Sequence, residues 1–137
     1  MVHLIKLCVG CDSVDDLATW QRARFGDGPA EHVTRMWPKR DADLLAGGSL
    51  YWVIKGVVLV RQPLLGFEER RGSDGIRRCA LMLAPQITRT EAQPRRAFQG
   101  WRYLAAADAP RDLPTNADRA DPLPRDILTA MAEIGLR

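Results

Sequence analysis

Apolar residues gather first at positions 3–9, HLIKLCV, where Lys6 alone interrupts the run, and this pattern predicts a strand. Ser13 then offers an N-cap, and Asp16 three residues later adds a carboxylate to the first turn of a helix over 14–24. Val14, Leu17 and Ala18, with Trp20 or Phe25, make its buried stripe, and GDGP at 26–29 ends it. In HVTRMWPKR, residues 32–40, a period of two puts Val33, Arg35 and Trp37 on one face. His32, Thr34 and Met36 take the other face, and Pro38 ends this strand or marks an edge, because proline cannot donate to a ladder. Residues 40–46 form a short helix with Leu44 and Leu45 inward, stopped by Gly47 and Gly48.

The strongest β signal follows in SLYWVIKGVVLVRQPLLGFEERR. Two β-branched and aromatic runs, 49–55 and 57–62, flank Gly56. They form either one long strand bent at Gly56 or two strands joined tightly at Lys55-Gly56. A strand over 64–69 follows Pro63, GSDG at 72–75 is a turn, and IRRCALML at 76–83 completes a hairpin. TRTEAQPRR at 88–96 reads as a polar loop, and AFQGWRYL at 97–104 as an extended aromatic segment. Residues 105–123 are rich in Pro, Asp and Ala and read as irregular, before a last helix from Pro124 that buries Ile127, Leu128, Met131 and Ile134. The expected architecture is α+β, a mostly antiparallel sheet, curled or closed into a small barrel, with flanking helices.

A length of 137 residues fits one domain, 1–137, large enough for a real core. No apolar run approaches a bilayer span, so no membrane partner is expected. The first ten residues lack a basic leader and a small-residue cleavage site, and three cysteines make no disulfide framework; both point to the cytoplasm. The net charge of +3 is unevenly spread: residues 32–103 carry +7 and the remainder −4. A basic middle between acidic ends implies one positive face.

Most catalytic signatures are missing. Cys8 and Cys11 form a single C-x-x-C at a strand end; zinc would need further ligands from Cys79, His3, His32 or carboxylates, so the alternatives are metal or redox chemistry and a core Cys8 beside an incidental Cys11. None of the three serines lies in G-x-S-x-G, and no phosphate-binding or dinucleotide-binding glycine loop is present, so neither a metal nor a cofactor is expected. Aromatic and basic residues, by contrast, cluster three times. The first cluster is Arg35, Trp37, Lys39 and Arg40; the second is Tyr51 and Trp52 with Lys55 and Arg61; the third is Arg95, Arg96, Phe98, Gln99, Trp101, Arg102 and Tyr103. Single-stranded bases stack on rings while phosphates pair with Arg and Lys, and Gln99 with Gly100 suits reading a base edge. The alternative is that the tryptophans are core. Trp52 shares a face with Leu50 and Ile54 and reads as core, which leaves Tyr51 and Lys55 on the contact face.

MVHLIKLCVGCDS, HVTRMWPKR, GGSLYWVIKG, DGIRRC and PRRAFQGWRYL resemble a family of short bacterial proteins classed as a domain of unknown function. GGSLYWVIKG and the order of elements are also similar to PUA-like and ASCH-like domains, a likeness that implies a curled sheet around a cleft for RNA or a modified nucleobase. Together these patterns support a nucleic-acid or modified-nucleotide binding module. Its site would comprise Arg35, Trp37, Lys39, Arg40, Tyr51, Lys55, Arg96, Gln99, Trp101 and Arg102, with RNA or a nucleotide as partner. A second reading is an ASCH-like amidohydrolase acting on a modified nucleoside, with Thr34 as nucleophile, Lys39 or Lys55 as base and Glu68 as acid. A third is an interaction module whose aromatic face binds another protein.

Overall fold

The structure, a computed structural model, describes residues 1–96 and 98–113. The helix expected from Pro124 lies outside the described residues. Among the described residues seven strands and two α-helices run in the order β1 (Val2–Leu7), α1 (Val14–Phe25), β2 (Ala30–Thr34), α2 (Asp41–Leu45), β3 (Ser49–Ile54), β4 (Val57–Arg71), β5 (Arg77–Leu83), β6 (Thr88–Pro94) and β7 (Trp101–Ala105), with a 3-10 turn at Ala106–Asp108.

The strands form one mixed sheet in the order β2-β5-β4-β3-β1-β7, with β6 beside β4. Only β1 and β3 are parallel, because α1 and β2 carry the chain across between them. The path has two ends, β2 and β7, so the described sheet is open and the barrel expected from the sequence is not formed.

The long β4 organises this sheet. Its first half pairs with β3 on one edge and β6 on the other, and its second half pairs with β5. Leu59 and Leu65 fall at breaks in register, where an extra residue bends the strand. Pro63 does not end the strand, which runs through it to Arg71. The β3–β4 connection is the tight one: Lys55 (φ 51°) and Gly56 (φ 80°) both take positive φ, the geometry of a two-residue hairpin whose twist matches its strands.

Residues 88–94 correct the sequence reading, since the polar loop expected there is strand β6. Thr88 and Thr90 are β-branched, Thr90 is buried, β4 pairs one side while residues 111–113 bond the other at Arg89–Glu91, and Pro94 stands at the strand's end. Residues 35–40 correct it in the other direction. Strand β2 stops at Thr34, whose Oγ1 accepts the Met36 N–H at 3.3 Å and turns the chain. The alternating faces expected for Arg35, Met36 and Trp37 therefore do not exist.

Helix α1 is capped as its sequence implies. Ser13 Oγ accepts the Asp16 N–H at 3.1 Å, the Asp16 carboxylate accepts the Asp12 N–H at 2.9 Å, and Gly26 (φ 64°) closes the end. The helix buries only Leu17 and Gln21. A large core lies on one face of the sheet, built from Leu4, Leu17, Leu44, Leu50, Trp52, Leu81, Leu83 and Trp101 among others. A smaller core of Ile5, Tyr51, Val53, Val58 and Leu104 lies on the opposite face.

Candidate nucleic-acid interface

The first and third aromatic–basic clusters do meet. The Trp101 indole N–H donates to the Met36 carbonyl at 2.9 Å. The Tyr103 hydroxyl accepts the backbone N–H groups of Lys39 (2.9 Å) and Arg40 (3.2 Å). Strand β7 thereby holds the 35–40 turn against the sheet edge. The Arg40 guanidinium sits 5.6 Å from the Tyr103 ring centre and pairs with Asp43 at 3.1 Å. Trp101 and Tyr103 meet edge to face at 5.0 Å.

The meeting consumes the rings that the sequence offered for stacking. Trp101 is 6% exposed and belongs to the large core. Trp37 is half-buried against the same core, and the Arg77 guanidinium lies 4.2 Å from its ring centre. The Trp37 indole nitrogen is buried with no hydrogen-bond partner among the described residues. Tyr51, at 4% exposure, lies in the smaller core with its ring edge-on to His3. Lys55 stands in the hairpin turn, 3.7 Å from the Asp12 carboxylate. Arg35, Lys39, Arg96, Gln99 and Arg102 are all exposed.

Ion pairs account for much of the basic middle. Arg61 forks onto Asp112 with two 2.7 Å bonds and holds that carboxyl below its usual range. Arg70 pairs with Glu31 and Glu68, Arg71 and Arg77 share Glu69, and Arg78 takes Asp74. The positive charge left without a carboxylate among the described residues includes Arg95, Arg96 and Arg102.

These three arginines surround one open hollow of about 550 Å³ together with Ile5, Pro94, Phe98 and Tyr103. Among the described residues no acid lines it. Arg102 lies 5.3 Å from the Phe98 ring centre, and Tyr103 is 38% exposed. Arg95 Nε is buried without a hydrogen-bond partner among the described residues. The Arg95 backbone N–H donates to the Gly56 carbonyl at 2.8 Å, so the Lys55–Gly56 turn abuts the hollow. Phe98, Tyr103 and Arg95 thus stand where the sequence pointed to Trp37, Trp101 and Tyr51. Alternation alone does not single them out: a period of two sets Tyr103 with Trp101 and Arg102 with Leu104, whereas Trp101 and Leu104 are the buried pair, which leaves Arg102 and Tyr103 exposed.

The proposed hydrolytic trio is not assembled. Val33 and Glu68 both register with Ala80, while Thr34 and Glu69 both register with Cys79, so Thr34 and Glu68 point to opposite faces of the sheet. Glu68 is paired with Arg70 at 3.0 Å, and Lys55 lies at the far end of β4.

A second hollow, of about 700 Å³, opens beside α1. Lys6, Cys8, Cys11, His32, Trp20 and Trp52 are among its walls. Burial lowers the proton affinity of His32, to a pKa of about 4, and also that of Lys6. Burial and the neighbouring Cys11 push the Cys8 thiol well above its usual value, so it is no thiolate nucleophile. Among the described residues no group of three or more His, Cys, Asp or Glu side chains is placed to hold a metal ion. The sequence signal for this hollow was Lys6 itself, which falls on the same face of β1 as buried Leu4 and Cys8.

Residues 4–137 match the model of the family described as protein of unknown function, DUF1489. The chain belongs to that family. The DUF1489 match spans both hollows. No curated protein and no solved structure matches the chain. No helix among the described residues is long and apolar enough to cross a membrane.

Proposed function

We propose that this DUF1489 protein binds single-stranded nucleic acid, or a nucleotide, at the Arg95–Arg96–Arg102 hollow. The observation that carries the reading is a hollow lined by three arginines and two part-exposed rings, with no acid among them. Phosphates would pair with the guanidinium groups, above all those of the exposed Arg96 and Arg102. A base would stack on Phe98 or Tyr103, contributing about 1–3 kcal/mol. Arg40, beside Tyr103, and Lys55, in the turn that Arg95 joins, border the hollow but are each paired with a carboxylate, Asp43 and Asp12. The reading keeps the surface chemistry of the PUA-like likeness, basic and aromatic side chains on a curled sheet, without its barrel.

Filter retention of a labelled oligouridylate tests it. Three phosphate contacts predict a slope of log affinity against log salt of about −2. Arg96→Glu with Arg102→Glu should lower affinity at least tenfold and flatten that slope. Equal affinity in wild type and the double variant overturns the reading, and retention unaffected by salt points instead to an aromatic protein-binding face.

A further inference from the structure

The α1 hollow has a chemistry opposite to that of the arginine hollow. Its volume of about 700 Å³ falls in the range of small-molecule sites. Leu7, Val9, Leu17, Trp20 and Trp52 give it apolar walls. The Trp52 N–H is committed to Gln62 at 2.8 Å, His32 closes on the same indole at 5.6 Å and the residue is 4% exposed, so this wall gives the hollow an apolar floor and no donor. Trp20 is 46% exposed at the rim.

One cation enters this setting. Lys6 is half-buried, registers with Trp52 across the β1–β3 ladder, and has no carboxylate partner among the described residues. Its depressed proton affinity is what an amine without a counter-ion shows on burial. The other titratable groups around the hollow are Cys8, Cys11, His32, Asp15 and Asp16. Cys8 stays protonated, and His32 stays neutral except in acid. Asp15 and Asp16, in the first turn of α1, put negative charge on the walls. Asp16 is occupied with the Asp12 N–H. A polyanion would be repelled by these carboxylates, while one negative charge is wanted at Lys6.

We infer that the α1 hollow binds a small organic monoanion with an apolar body, its carboxylate on Lys6 and its chain or ring between Trp20 and Trp52. This is a site separate from the arginine hollow and independent of nucleic-acid binding.

Titration calorimetry on the full chain, with octanoate and benzoate as probes and octan-1-ol and inorganic phosphate as controls, tests the inference. Saturable binding of octanoate or benzoate, with none of phosphate, is expected at neutral pH. Binding should fade in strong alkali as Lys6 loses its proton. Lys6→Met should weaken octanoate at least tenfold and leave octan-1-ol unchanged. Thr19→Trp, which fills the hollow from the exposed face of α1, should weaken both and covers the case in which Lys6→Met fails to fold. Absence of saturable carboxylate binding into the millimolar range, or equal octanoate binding by wild type and Lys6→Met, overturns it. Oligouridylate retention should not change with octanoate present, so failure of one site is read separately from failure of the other.

Discussion

The indole N–H of Trp101 and the carbonyl oxygen of Met36 meet at 2.9 Å across 65 residues of sequence. This bond ties the turn after β2 to the edge strand β7, and with the two bonds to the Tyr103 hydroxyl it fixes the 35–40 segment without any ladder. Trp101→Phe keeps most of the packing but removes the donor. It should cost about 1–2 kcal/mol, measured by urea unfolding, while Trp101→Ala should cost about 3–5 kcal/mol. A Trp101→Phe protein as stable as wild type would contradict the tie.

Gln62 is a buried amide with every group used. Its Oε1 accepts from Gln21 Nε2 (2.9 Å) and Trp52 Nε1 (2.8 Å), and its Nε2 donates to Gln21 Oε1 (2.8 Å) and the Ala84 carbonyl (3.0 Å). Removing it strands partners on α1, β3 and the residue after β5 at once. Gln62→Leu should therefore destabilise by about 2–4 kcal/mol despite its similar volume, and Gln21→Leu, which strands only Gln62, by less. Paired chemical denaturation curves check the ranking.

Stability should fall between pH 6.5 and 4. His32 has a folded pKa of about 4 against 6.5 unfolded, because burial disfavours its charge. The unfolded chain therefore binds more protons in this window, so stability is full above 6.5 and is lost as pH falls. The loss from His32 is at most about 3 kcal/mol. His3, whose Nδ1 accepts the Ser49 N–H at 3.0 Å, is shifted in the same direction and adds to it. His32→Gln should flatten the pH dependence of the urea midpoint in part and leave the His3 share.

Gly56→Ala should cost about 1 kcal/mol, since no neighbour crowds the new Cβ and only the positive φ of 80° resists it. Lys55→Asn, at φ 51°, should stabilise by a few tenths of a kcal/mol, because Asn tolerates that conformation better than Lys. Thermal melts of the two single variants should move in opposite directions.

Local chemistry was the legible part of this sequence. Ser13 caps α1, Gly26 stops it and GSDG makes a turn, because each is decided by residues a few positions away; at Lys55-Gly56 the sequence left a bent strand and a tight turn open, and the structure takes the turn. Residues 88–94 show no apolar alternation, and their order comes from partners distant in sequence, β4 on one side and residues 111–113 on the other. Residues 35–37 were misread because one hydroxyl, on Thr34, turns the chain where the pattern would extend it. The clustering of aromatics with arginines was visible, but not which rings would be spent inward. Trp101 went to the core with Trp37 packed against it, and Tyr51 to the opposite one, which left Tyr103 exposed and Phe98 part-buried against the smaller core at the hollow. Lys6 was legible as an oddity in an apolar strand, while the hollow around it depends on how α1 and β2 close over β1.

Strand β1 sits between β3 and β7, pairing Leu4 with Leu50 on one side and Val2 with Ala105 on the other. Strand β1 thus has one edge that stays unsatisfied until nearly a hundred further residues have been made. A nascent chain halted before residue 101 would carry that bare edge, a template onto which a second unfinished copy can add.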